Sequence, residues 1–190
     1  MTKLSVFRVL LLMLGLSYLT VAVRADAPDL GVDRVALRLH QGIYHLDADL
    51  HVSLSREMTE ALNNGVPLAF RLEFELYAPR TYLWDSQVAR LGQEYVLNYH
   101  ALSGRYLILN RNTEQQISYR SLDAALASLG HVKDLPVLDQ ALLKPGKRYL
   151  ARIRIKLDDG ALPVPLRVKT FFKRAWKAQS PWVELTLIRP

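Results

Sequence analysis

The sequence predicts a mainly β domain, an antiparallel β-sandwich of seven or eight strands with two or three short helices. Three observations predict it: apolar and polar residues alternate with a period of two through most of the chain, turn residues separate these runs, and no rhythm of strands and long helices indicates a parallel sheet. An immunoglobulin-like arrangement fits this pattern, and an open α+β sheet is the alternative.

The first two strands are predicted on either side of Gln41-Gly42. Alternating apolar residues precede this pair from Val35 to Leu39 and follow it from Tyr44 to Leu54. Two such runs so close together predict an antiparallel hairpin. The second run contains the sequence HLDADLH, whose polar side chains we expect on the solvent face of a half-buried strand.

The histidines and aspartates of HLDADLH raise the question of a metal site. They share one face of the strand, but His45 and His51 at its ends would stand about 20 Å apart. One ion with ligand bonds of about 2.0–2.2 Å cannot reach both. A smaller site stays open, because His40 could approach His45 across the hairpin with Asp47 beside it. We predict no metal and no cofactor, with this trio as the one candidate.

The other elements follow in chain order. Ser55 is expected to cap a helix over residues 56–63, and Ser121 to cap a second helix that Gly130 ends. In the clearest strand, Leu68 to Leu76, apolar residues alternate with polar ones, so Glu73 and Glu75 are expected to face water. Further strands are predicted over residues 88–100 with a bulge at Gly92, and over 106–109, 117–119, 149–157 and 182–188.

The N-terminus predicts export. Lys3 and Arg8 precede an uncharged run of fifteen residues from Val9 to Val23, and Val23-Arg24-Ala25 has small residues at the positions that a signal peptidase reads. We therefore expect a secretory signal over residues 1–25, a single β-rich domain over residues 26–190 and a periplasmic location. The alternative is a retained N-terminal anchor, although a membrane span needs about twenty residues.

Composition narrows the function classes. The chain has no cysteine, which excludes disulfides, thiolate metal sites and cysteine nucleophiles. Residues 26–143 hold ten Arg/Lys and fifteen Asp/Glu, whereas residues 144–190 hold twelve and three, so the C-terminal quarter is basic. A basic exported protein suits phosphate-bearing or anionic partners outside the cytoplasm rather than nucleic acid.

One segment of the basic quarter is a candidate contact surface. Val168, Phe171, Phe172, Ala175 and Trp176 follow the spacing of a helical stripe, which predicts a basic amphipathic helix over residues 166–178, with a strand possible for part of it. Trp176 and Trp182 are expected to be structural. The candidate binding residues are the cations of this segment, namely Arg167, Lys169, Lys173, Arg174 and Lys177.

Catalytic motifs are missing from the sequence. There is no GxSxG, no HExxH, no Gly-rich phosphate loop and no single segment that combines an acid, a base and a nucleophile. We therefore expect a protein without enzymatic activity and identify no small-molecule substrate.

Several blocks together resemble the proteobacterial domain-of-unknown-function family 4390. They are YHLDADLHVSLS, LEFELY, YLARIRIKLDDGALPVPLRV and the closing WKAQSPW. The resemblance implies an exported protein of Gram-negative bacteria with no assigned activity, ligand or catalytic residue, and it brings a membrane sensor kinase into consideration as a partner. We expect an envelope interaction module that binds a protein through its basic C-terminal surface, with binding to a membrane or lipopolysaccharide surface as the alternative.

Overall fold

The computed structural model describes residues 27–80, 85–158 and 178–189. These residues form nine strands in two antiparallel sheets. A three-stranded sheet has the order β1-β2-β7, from β1 (Asp29–His40), β2 (Ile43–Ser53) and β7 (His131–Asp139). A six-stranded sheet has the order β6-β5-β4-β3-β8-β9, from β3 (Leu68–Ala78), β4 (Ser86–His100), β5 (Arg105–Asn110), β6 (Gln115–Tyr119), β8 (Arg148–Leu157) and β9 (Val183–Ile188).

The predicted mainly β fold with antiparallel sheets is confirmed. Buried side chains of both sheets join one hydrophobic cluster, which includes Tyr44, Leu46 and Ala48 of β2 and the apolar row of β3. The strand order is not that of an immunoglobulin domain, because β3 to β6 form an uninterrupted meander within the larger sheet. The three-stranded sheet, and not helices alone, covers the six-stranded sheet.

The hairpin between β1 and β2 turns at the predicted pair. Gln41 and Gly42 both have positive φ, 50° and 80°, which is the conformation that a tight two-residue hairpin turn requires. The register brings His40 opposite Ile43 at the tip. Alternation then buries Tyr44, Leu46, Ala48 and Leu50, while the polar residues of HLDADLH occupy the outer face, as predicted.

Both helices begin at the predicted caps. The side chain of Ser55 accepts a hydrogen bond from the Met58 amide at the start of α1 (Arg56–Asn63). Ser121 does the same for Ala124 at the start of α2 (Leu122–Leu129). Helix α2 contacts β2 and β7 of the three-stranded sheet and β5 and β6 of the six-stranded sheet, so it packs against both sheets. No helix of the described part is long and apolar enough to cross a membrane.

Two local elements differ from the prediction, namely one strand and one bulge. Strand β7, which the sequence pattern did not reveal, contains Pro136 and tolerates it because β7 lies at a sheet edge. The bulge predicted at Gly92 is wrong: Gly92 pairs in register with Glu73, and the irregularity of β4 lies between the partners of Leu76 and Tyr77. The Arg71 side chain instead passes within 4 Å of the space that a Cβ at Gly92 would occupy.

Gly130 brings the end of α2 against the backbone of β2. Its carbonyl accepts a hydrogen bond of 2.7 Å from the Leu50 amide, and a Cβ at this position would stand 2.5 Å from the Leu50 carbonyl oxygen. We expect Gly130→Ala to lower the free energy of unfolding by about 1–3 kcal/mol, because a backbone atom must shift. Urea unfolding measures this cost.

Gly31→Ala is the matched control for Gly130→Ala. A Cβ at Gly31 would meet the Cβ of His51 at 3.5 Å and a carboxylate oxygen of Asp33 at 3.8 Å, both ordinary van der Waals distances. We expect the stability of this variant to stay within about 0.5 kcal/mol of the parent protein. Equal effects of the two alanines would contradict the close approach of α2 and β2.

Candidate functional site

The outer face of the six-stranded sheet carries an ionic layer built by β3 and β8. Every second residue of β3 points away from the core, and the register sets Glu73 opposite Arg154 and Glu75 opposite Arg152. Opposite charges on facing positions of neighbouring strands attract each other. We call this set the ionic layer; it consists of Glu73, Glu75, Arg90, Arg152, Arg154 and Lys156.

Glu73 lies at the centre of the ionic layer and is buried beneath its cations. Its side chain is only 3% exposed. One carboxylate oxygen accepts from Arg154 Nε at 2.7 Å and the other lies 2.7 Å from Lys156 Nζ. Arg90 approaches from β4 at 3.8 Å. Three cations from two neighbouring strands therefore converge on one carboxylate.

Glu75 repeats the arrangement one step along β3. Its side chain is 7% exposed, and it accepts from Arg152 Nε at 2.8 Å and from the Tyr77 hydroxyl at 2.9 Å. Arg90 Nε lies 3.4 Å away, so Arg90 bridges both glutamates. The expectation that Glu73 and Glu75 face water is therefore wrong, because side chains of β4 and β8 cover them.

The two carboxyl groups are held in their ionised form. Burial raises the pKa of Glu73, but the hydrogen bonds from Lys156 and Arg154 outweigh burial and leave the pKa below its usual value. Burial likewise raises the pKa of Glu75, and the bonds from Arg152 and Tyr77 reverse the shift. Ionised carboxylates with their oxygens already bonded serve to position the arginines rather than to donate protons.

Trp182 adds an aromatic surface to the ionic layer. Trp182 is half-buried, and the centre of its ring lies 4.4 Å from the guanidinium group of Arg152 and 4.2 Å from that of Arg154. The Arg152 guanidinium also lies 4.6 Å from the Tyr77 ring. Such cation–π contacts restrain long side chains that would otherwise be mobile. The cations thus form a fixed outer surface above two buried anions, and this is a geometry that suits acidic groups of a partner.

The predicted binding residues Arg167, Lys169, Lys173, Arg174 and Lys177 lie outside the described residues, as does Trp176. The chain on either side of them is described. Leu157 donates to the Ala178 carbonyl and Ser180 donates to the Ile155 carbonyl, each at 2.8 Å. The residues that flank segment 159–177 therefore lie next to each other at the C-terminal end of β8, where Lys156 of the ionic layer pairs with Gln179.

The His40, His45 and Asp47 trio is brought together only in part. The rings of His40 and His45 lie 6.1 Å apart between centroids. The carboxylate of Asp47 instead accepts two bonds from the Arg38 guanidinium and one from the Asp134 amide, and these bonds lower its pKa to about 2. Among the described residues, no group of three or more His, Cys, Asp or Glu is placed to hold a metal.

A row of His–carboxylate contacts on the smaller sheet was not predicted from the sequence. His131 Nδ1 lies 2.9 Å from Asp49, and His45 Nδ1 lies 3.3 Å from Asp134. Both pairs join β2 to β7. Because β7 was not predicted, no local signal could have placed His131 or Asp134 beside HLDADLH.

The comparisons with known proteins identify a family without supplying a function. A family model described as "Domain of unknown function (DUF4390)" matches residues 27–186, which is most of the chain. No curated protein and no solved structure matches the chain.

Proposed function

The chain belongs to the family described as domain of unknown function DUF4390, and we propose that this member is an exported, non-enzymatic interaction module of the bacterial envelope. It binds a protein partner through the basic surface of its C-terminal region, and a membrane sensor kinase is the first partner to test. The observation that carries the proposal is the ionic layer, whose arginines are fixed from below by Glu73 and Glu75 and from the side by Trp182.

Preorganisation is the reason that this layer suits recognition. A free arginine loses rotamer freedom when it binds a carboxylate or phosphate, whereas Arg152 and Arg154 are already restrained by bonds to Glu75 and Glu73. The side chains of Arg152 and Arg154 remain partly exposed, at 31% and 21%. Acidic side chains of a partner can therefore dock without a large ordering cost.

Segment 159–177, which follows β8 in the chain, supplies further positive charge. Residues 159–177 contain five cations and one carboxylate, and Gln179, just after them, pairs with Lys156. Attraction between this positively charged segment and an acidic partner steers the partner and sets its orientation more than it raises affinity. Segment 159–177 therefore orients the partner, and the ionic layer is the fixed surface on which the partner docks.

Charge removal tests the proposal. We expect replacement of Lys169, Lys173, Arg174 and Lys177 by Gln to lower partner recovery roughly tenfold, since exposed charges contribute a few tenths of a kcal/mol each. The partner is captured in intact cells from a photoreactive residue at Thr170, which leaves every cation of the parent protein in place, and the adducts are identified by mass spectrometry.

The matched control removes the same charge elsewhere, by replacing the exposed residues Arg80, Arg111, Arg120 and Lys133 with Gln. We expect this control to keep full recovery, and a photoreactive residue at the exposed Ala101 to give no adduct. If both quadruple variants lost partner recovery equally, the loss would depend on net charge alone and not on the position of the cations. Adducts with lipid alone would replace the protein partner by a membrane or lipopolysaccharide surface.

A further inference from the structure

Strand β6 is an edge strand of the six-stranded sheet, and its own sequence does not protect it. It reads QQISY from Gln115 to Tyr119, so it carries no charged residue and no proline. Its register with β5 has no shift. Charges, prolines and bulges are the features by which edge strands normally prevent pairing with another chain. The free backbone groups of β6 are therefore available to a further strand.

The other three edge strands of the described sheets carry such protection. Strand β1 has Arg34 and Arg38 and a register shift beside Arg34. Strand β7 has Pro136 and two register shifts. Strand β9 has the exposed Glu184. Among the edges of the described part, β6 is thus the one most suited to pairing.

The β6 edge is open to solvent and presents apolar surface. Residues 115–118 are all exposed. Ile117 is 49% exposed, whereas its register partner in β5, Ile108, is buried. A strand that added to this edge would cover Ile117 and extend the apolar surface that begins at Ile108, which is favourable.

The sequence around β6 is complementary to itself. A two-fold axis at Ile117 sets this residue against the partner's Ile117 and sets Gln116 against the partner's Ser118. At the two ends of the paired region, Glu114 then lies near the partner's Arg120, and opposite charges on neighbouring strands attract. Glu114 and Arg120 are exposed, and neither forms an ion pair within the described part of the chain. A register moved by two residues loses both attractions.

We propose that two copies of this chain pair antiparallel through β6 and form a two-fold symmetric dimer. The two six-stranded sheets then join into one sheet of twelve strands. A two-fold interface requires a patch that is complementary to itself, and β6 with its flanking charges meets this condition. The paired region is short and buries less than the about 800 Å² on each partner that stable complexes use, so we expect a dissociation constant on the order of 10 μM.

The dimer places both ionic layers on one side. The two-fold axis is perpendicular to the joined sheet, so the outer faces of the two copies stay on the same side. Strand β3 and its copy are seven strand spacings apart, or about 34 Å. A partner with two acidic sites at this separation can engage both layers and gain avidity. This consequence depends on the proposed function, whereas the dimer itself does not.

Charge reversal tests the dimer. Sedimentation velocity is measured from about 1 to about 200 μM on protein purified after expression of the full chain, because dimerisation depends on concentration. We expect Glu114→Arg to weaken the dimer roughly tenfold, since it turns two attractions into two repulsions. Arg120→Glu should have the same effect. The double variant Glu114→Arg/Arg120→Glu restores opposite charges and should return to within about twofold of the parent protein.

Disulfide trapping tests the position of the axis, because the chain has no natural cysteine. Ile117→Cys brings two thiols together, since facing Cβ atoms of antiparallel strands lie about 4.5–5.5 Å apart, close to disulfide distance. We expect a covalent dimer when copper phenanthroline is added in air. Leu102→Cys is the control: its side chain is 95% exposed, so disulfides formed by random collision would appear there at least as fast.

Several results would overturn the proposal. They are a monomer at every concentration, species that grow beyond the dimer, equal disulfide yields at positions 117 and 102, and a double reversal that fails to restore the dimer. Urea unfolding checks that each variant is folded, and the charge reversals at exposed positions remain informative if Ile117→Cys is unstable. A monomer that captures another protein through β6 would also exclude the dimer. Loss of the partner in the Thr170 experiment would leave the dimer intact.

Discussion

Replacing Glu73 with alanine is expected to lower the free energy of unfolding by about 3 kcal/mol, the lower end of the range for breaking a buried ion pair from one side. The substitution leaves Arg154 and Lys156 facing the space that the carboxylate had neutralised. Both cations keep partial access to water, with side chains 21% and 28% exposed, and this relief argues for the lower end. The shift of the urea midpoint at constant slope measures the loss.

Glu94→Ala is the control for Glu73→Ala. Glu94 also binds an arginine of β3, Arg71, but it is more exposed, and Arg71 keeps a second bond of 3.1 Å to Asp158. A partly exposed pair of this kind contributes on the order of 1 kcal/mol. If the two alanine variants unfolded at the same urea concentration, the burial of Glu73 would add nothing to the free energy of unfolding. The ionic layer would then be an ordinary solvated surface.

The pH dependence follows from the direction of the pKa shift. The folded protein holds the pKa of Glu73 and Glu75 below the usual value, so their contribution is fully present above the unfolded pKa of about 4.3. It is lost as the pH falls through the folded values. We therefore expect the stability difference between the parent protein and Glu73→Ala to shrink below about pH 4. A difference that stayed constant in acid would contradict the ionised state of Glu73.

Local signals predicted the elements of this fold well. The turn at Gln41-Gly42 and the caps Ser55 and Ser121 depend on a few adjacent residues, whose chemistry the sequence displays directly. The core face of β3 also depends only on alternation. Strand β7 has no comparable signal, because Pro136 and its charged neighbours hide the alternation at a sheet edge.

Pairings between distant strands could not be predicted. Alternation showed that Glu73 points away from the core, but its burial depends on Arg154, 81 positions later, being its register partner. Sites of this kind require the topology, which a single sequence does not display.

Leu46→Ala is expected to cost about 2–5 kcal/mol, because it deletes a fully buried side chain at the centre of the smaller sheet. Leu46 pairs with Leu37 of β1 and Leu135 of β7 and belongs to the hydrophobic cluster shared by the two sheets. The cavity left behind would face both sheets, so neither can close it alone.

Leu39→Ala is the matched comparison, since it makes the same chemical change in β1 at a side chain that is 41% exposed. We expect a cost of about 0.5 kcal/mol for Leu39→Ala. Urea unfolding measured on both variants then separates buried from exposed leucines of the smaller sheet. A small cost for Leu46→Ala would mean that the sheets share no tightly packed core, and the open α+β arrangement would regain support. A large cost for Leu39→Ala would show that the Leu39 side chain is packed in the core despite its exposure.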